Sequence, residues 1–173
     1  MKWLWLATVL AASPQIPLTP EAVNDPGLPP PADGDRGATV LRAQVLLDRL
    51  HFSPGEIDGV AGQHLRQAVS GFQKANDLEV TGHIDARTWE MLNRDPVPIL
   101  ITYRIAEADV AGPFHAIPQD MMEKASLPAL SYSSAAEALG ERFHVRPDFL
   151  VQLNPGKALD RAGEEIVAPN VEG

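Results

Sequence analysis

Two short glycine turns, Asp58-Gly59-Val60 and Thr81-Gly82-His83-Ile84, each lead into a helix-period stripe of apolar residues, and this arrangement constrains the fold more than any other feature. In each turn the glycine permits a tight reversal, and an aliphatic residue, Val60 or Ile84, follows to fill a core. Ahead of the first turn, Val40, Ala43, Leu47 and Leu50 recur at spacings of three and four, with Leu41 and Val45 beside them. That period predicts an amphipathic helix over 39–50. Ser53-Pro54-Gly55 and Asp58-Gly59 break the pattern. Leu65, Ala68, Val69, Phe72 and Ala75 predict a second helix over 63–76. Asp85 is placed to cap a third, short helix whose inward residues are Trp89 and Leu92.

The order of residues from Val40 to Leu92, with Asp58-Gly59, Phe72-Gln73-Lys74, Thr81-Gly82 and Thr88-Trp89, closely resembles the peptidoglycan-binding-like three-helix domain carried by many bacterial wall enzymes. The resemblance implies a small helical bundle over 37–94 and a ligand in the bacterial wall, either glycan or stem peptide. It also implies a groove along the helices near the two turns, for which Gln63, Arg66, Gln73 and Asn76 are the polar candidates. Arg66 suits a stem-peptide carboxylate, because a guanidinium offers two parallel N–H donors. Phe72 and Trp89 lie on the apolar stripes and read as core rather than as platforms for sugar. Asp58 reads as closing its own turn.

Beyond Asn93, Val97, Ile99, Ile101, Tyr103 and Ile105 alternate with other residues, the strand period of two, and Pro98 confines the start of this run to an edge or lead-in. Pro118 to Lys124 reads as one or two helical turns, with Met121 and Met122 as apolar filling. Ser134 and Glu137 have capping-box spacing, and Ala138, Leu139 and Phe143 continue a helix. Phe149, Leu150 and Leu153 mark another helix, ending at Asn154-Pro155-Gly156, and residues 163–169 read as a turn and closing strand. This order resembles a lysin-motif (LysM-like) βααβ unit over 130–171, with residues 95–129 as a connector. The usual Tyr-x-Val-x-x-Gly-Asp-Thr-Leu start is replaced here by Leu130-Ser131-Tyr132-Ser133-Ser134-Ala135, so the first strand is either very short or supplied from upstream. The resemblance implies that Ser133, Asn154 and Gly156 contact sugar. Capping and turn formation are their alternative roles. The expected fold class is mainly α: a three-helix bundle plus a small α+β unit.

Met1-Lys2 followed by an apolar run to Ala12 has the form of a short secretory signal over 1–12, with Val9-Leu10-Ala11 as a small-x-small site. The run is too short to span a bilayer, which takes about 20 residues. Residues 13–36 hold seven prolines and few large apolar groups, and so read as a disordered, semi-rigid spacer. A net charge of −9 and a pI near 4.9 disfavour nucleic acid and anionic membrane surfaces as partners.

The 173 residues include no cysteine, hence no thiol nucleophile, disulfide or Cys-based metal site. The motifs Gly-x-Ser-x-Gly, Ser-x-x-Lys and His-Glu-x-x-His are absent. His51, His64, His83, His115 and His144 are scattered singly and read as ordinary histidines rather than ligands. Asp58 and Glu56 are too close in sequence, and too turn-like, for the carboxylate pair of a muramidase, which flanks a cleft at roughly 5–9 Å. The succession of units resembles the front of certain L,D-transpeptidases, whose catalytic cysteine has no counterpart here. The expectation is an exported, monomeric, non-catalytic wall-binding protein without cofactor or metal, or the targeting region of such a transpeptidase, the sequence ending about where that catalytic domain would begin. A module that docks a wall-modifying enzyme without touching glycan is the alternative.

Overall fold

The computed structural model describes residues 16–114 and 132–171. The signal-like stretch, the helical turns expected at 118–124 and Leu130-Ser131 lie outside them. Among the described residues the chain is mainly helical. In order come α1 (Pro20–Val23), α2 (Ala38–Arg49), α3 (Gln63–Ala75), α4 (Ala86–Leu92), β1 (Leu100–Arg104), α5 (Glu107–Val110), α6 (Ala135–Arg142), α7 (Pro147–Leu153) and β2 (Glu165–Pro169).

Helices α2 to α4 start and stop within one or two residues of where the apolar period places them. Asp85 caps α4 by accepting from the Thr88 backbone N–H at 2.7 Å, satisfying one of the donors a helix leaves free at its first turn. Leu65, Val69, Phe72, Trp89 and Leu92 are all buried, as the stripes predict. Each large side chain removed from water stabilises the fold by roughly 1.5–3 kcal/mol. Leu50 departs from the pattern: it follows the last turn of α2 and is exposed. Helix α2 departs more broadly, since every residue from Ala38 to Leu47 is buried, Arg42 and Gln44 included. It is a central strut with neighbours on all sides, not a surface helix with one wet face.

One of those neighbours corrects the reading of residues 13–36 as a disordered spacer. From Ile16 to Arg36 this segment is laid against the core. Val23 and Leu28 are buried. Arg42 donates to the Val23 carbonyl at 3.0 Å and Trp89 Nε1 to the Leu28 carbonyl at 2.8 Å. Asn24 reaches the edge of β1, where its Oδ1 accepts from Ile99 and Leu100 N–H and its amide donates to the Leu100 carbonyl. Two apolar anchors and a few long-range hydrogen bonds order a stretch whose proline content alone suggests an open chain.

Strands β1 and β2 pair antiparallel, from Leu100 opposite Pro169 to Arg104 opposite Glu165. The alternation at 97–105 therefore produces a strand, starting just after Pro98. The partner it finds is 60-odd residues away, with α5, α6 and α7 between. Ser134 Oγ caps α6 by accepting from Glu137 N–H. Glu137 does not complete the expected box: its carboxylate turns to the N–H and hydroxyl of Ser133 instead.

The bundle and the segments from β1 to β2 share one apolar cluster that runs from Val23 to Ala168. Ile57 and Val145 form a parallel bridge, with Ile57 N–H donating to the His144 carbonyl and Arg146 N–H to that of Ile57. Arg49, almost wholly buried, pairs with Asp95 and donates to the carbonyls of Val97, Pro98 and Asn170. These groups fasten the end of α2 to both flanks of the sheet.

Candidate functional site

The two glycine turns are built by a matched pair of buried glutamines. Gln44, on α2, accepts the N–H groups of Asp58 and Gly59 on Oε1 (3.2 and 2.8 Å) and donates to Asp58 Oδ1 (2.9 Å). Gln73, on α3, accepts those of Thr81 and Gly82 (3.0 and 2.9 Å) and donates to the His83 carbonyl and the hydroxyls of Thr81 and Thr88. Both glycines have positive φ, +67° at Gly59 and +72° at Gly82, a region side-chain-bearing residues avoid. At Gly59 a Cβ would also come within 2.8 Å of the Phe149 ring. In each turn the first residue's side chain accepts the N–H two positions on, Asp58 from Val60 and Thr81 from His83. The turn echo seen in sequence is thus a repeat of a whole unit, helix glutamine plus glycine turn. Gln44 was not singled out from sequence, although a glutamine flanked by apolar residues on a helix is a signal that something polar is buried there.

The candidate ligand contacts divide sharply. Gln73 was expected to line a groove; it is fully buried, with its amide committed to the second turn. Asn154 is likewise buried, bridging α7 and β2: it donates to the Leu150 and Val167 carbonyls and accepts from Val167 N–H. Each is placed to hold its fold together, since a buried amide must find partners within the protein. Ser133 is exposed, and its donation to Glu137 holds that carboxyl below its ordinary range. Gly156 is an exposed turn residue with φ +78°. Gln63 and Arg66 are exposed on α3, and Asn76 follows its last turn half-buried.

These last three residues line three different clefts. Gln63 borders one beside the first turn, with Glu56, Asp58 and His64. Arg66 borders a narrow crevice with Asp33, Gly82 and Ile84. Asn76 borders a third, against α4, with Arg87, Glu90 and Arg94. A fourth cleft, between the bundle and α6–α7, carries Asp48, Glu56, Glu137 and Glu141 together with His51 and His144. There His144 Nδ1 lies 2.8 Å from Asp48. Asp58 and Glu56 share the first of these clefts, but Asp58 is occupied by Gln44, the Val60 N–H and Arg146.

With the repeated helix–turn unit in view, comparison with known proteins is direct. Residues 36–92 match the family model of a putative peptidoglycan binding domain. The matched span takes in both glutamines, both glycine turns and α2 to α4. Over 55 residues the chain is 49% identical to the carboxy-terminal processing protease CtpB of Bacillus subtilis (strain 168). That alignment covers 32% of this chain and 12% of the protease, so the chain spans only a small part of that relative's length. Within the matched span, then, α3 presents Gln63 and Arg66 outward while Gln73 faces in. No described helix is long and apolar enough to cross a membrane.

Proposed function

We propose that this chain is an exported protein that binds peptidoglycan and does not modify it. The observation that carries the reading is the family match over residues 36–92, laid on an intact pair of glutamine-braced turns. Export is supported by Lys2 and the apolar run that follows it. The non-catalytic assignment is supported by the absence of any cysteine in the sequence, the residue on which L,D-transpeptidase chemistry depends.

The finer reading treats the chain as two wall-facing units, 37–94 and 130–171, the second LysM-like, arranged as in the targeting region of an L,D-transpeptidase. Its support is topological. Antiparallel β1 and β2 flank α6 and α7 in sequence, with the short α5 following β1, which supports a βααβ-like unit whose first strand comes from upstream, at 100–104. The burial of Asn154 argues for a structural role at that position, leaving Ser133 and Gly156 as the accessible candidates there.

The test is co-sedimentation of the chain with purified sacculi, with muropeptide analysis of the supernatant. Pelleting without release of new muropeptides is expected. Release of muropeptides would overturn the non-catalytic reading, and failure to pellet would overturn wall binding and direct the search to a protein partner.

A further inference from the structure

The cleft against α4 differs from the others in charge. It has a volume of about 700 Å³ and is lined by Asn76, Ala86, Arg87, Glu90, Met91 and Arg94. Two arginines and one glutamate leave this lining at +1. The cleft beside the first turn carries Glu56 and Asp58, that at the junction four carboxylates, and that at Arg66 one charge of each sign. In a chain of net charge −9 a positive wall is an exception. Among the described residues neither Arg87, Glu90 nor Arg94 forms an ion pair, although all three line the same cleft and are exposed.

The lining sorts into complementary halves. Arg87 and Arg94 offer planar forks of N–H donors, the geometry that takes a carboxylate bidentately. Glu90 offers an anionic acceptor. Asn76 donates its NH₂ to the Phe72 carbonyl, which leaves its side-chain oxygen as a neutral acceptor at the same wall. Met91 and Ala86 supply apolar surface between them. A ligand end bearing both a carboxylate and an ammonium group offers a charged partner to the arginines and to Glu90 alike, which a neutral sugar does not.

We propose that this cleft binds the zwitterionic end of a diamino acid in a peptidoglycan stem peptide, one whose amine has not been consumed in a cross-link. The inference rests on the wall-binding reading and narrows it to uncross-linked stem peptide.

Calorimetric titration of the full chain with a synthetic stem tripeptide ending in a diamino acid, its terminal carboxylate and side-chain amine both free, tests it. Converting the carboxylate of the diamino acid to an amide is expected to weaken binding about tenfold or more, and Arg87→Gln and Arg94→Gln each about five- to twentyfold. Acetylating the amine should weaken binding to the native chain and have little further effect in Glu90→Gln. All three positions are exposed, so circular dichroism should report an unchanged fold. No binding of the tripeptide, equal binding of acid and amide, or arginine variants that bind like the native chain would overturn the inference. Sacculus pelleting separates this from failure of the broader reading: pelleting retained in Arg87→Gln/Arg94→Gln leaves wall binding standing and removes this cleft from it, whereas a native chain that does not pellet removes both.

Discussion

Replacing Gln73 by alanine distinguishes a ligand contact from a turn brace. The substitution removes the acceptor for Thr81 and Gly82 N–H and the donor to the His83 carbonyl and Thr88 hydroxyl. Thr81 and His83 are exposed, so water can replace the lost partner there, whereas Gly82 and Thr88 are buried. The buried Gly82 N–H left without a partner costs about 1–3 kcal/mol, while the Thr88 hydroxyl loses its donor but keeps Asp85 as an acceptor. The space vacated by the side chain adds roughly 1 kcal/mol. Gln73→Ala should therefore cost about 2–4 kcal/mol, a large part of the roughly 5–15 kcal/mol that stabilises a domain of this kind. Urea unfolding followed by circular dichroism measures it, with exposed Gln67→Ala on the same helix as the control, expected within about 0.5 kcal/mol of the native chain. A loss below about 1 kcal/mol for Gln73→Ala would refute the bracing role. So would a variant that unfolds like the native chain yet no longer pellets with sacculi, because that is how a ligand contact behaves.

Gly59→Ala should cost about 2–4 kcal/mol, from a residue forced to φ +67° and from a Cβ driven against Phe149; thermal unfolding that barely shifts would count against the packing described. Arg49→Leu should cost about 1–3 kcal/mol by removing the charged partner of half-buried Asp95 and the donor to the Asn170 carbonyl. Urea unfolding should show this as a lowered midpoint, and an unchanged midpoint would deny Arg49 its fastening role. Hydrogen bonds from Thr88, chiefly its backbone N–H, hold the Asp85 carboxyl below its ordinary value. A depressed carboxyl stabilises the fold above its unfolded pKa, and that contribution is lost as pH falls through the folded value. Native stability should therefore fall on acidification from about pH 5 downward more steeply than that of Asp85→Ala, which lacks this one titration; parallel curves for the two would show that the cap does not lower the Asp85 carboxyl on folding.

What was legible in sequence follows from local rules. Helix period, the cap at Asp85 and the glycine turns are set by residues within a few positions of one another, so α2 to α4 are found within one or two residues of their expected places. The same holds for β1, where alternation and Pro98 mark the strand and its start. Candidate contacts were harder to read because a glutamine on a helix looks the same whether it faces water or a turn nine residues on. Gln63 and Gln73 differ in sequence only by position, yet one is exposed and the other fully buried.

By itself, then, the sequence determined the helical bundle, its two glycine turns and its resemblance to wall-binding modules. Tertiary structure alone decided the rest. The Pro-rich segment is ordered because Val23 and Leu28 find a core and Arg42 and Trp89 find their carbonyls. Strand β1 pairs with β2 across some sixty residues, since a strand's period states that it needs a partner and never which one. Gln73 and Asn154 are braces because the groups they satisfy lie in other elements. Burial and hydrogen bonding between distant residues depend on which surfaces meet, and no spacing along the chain encodes that.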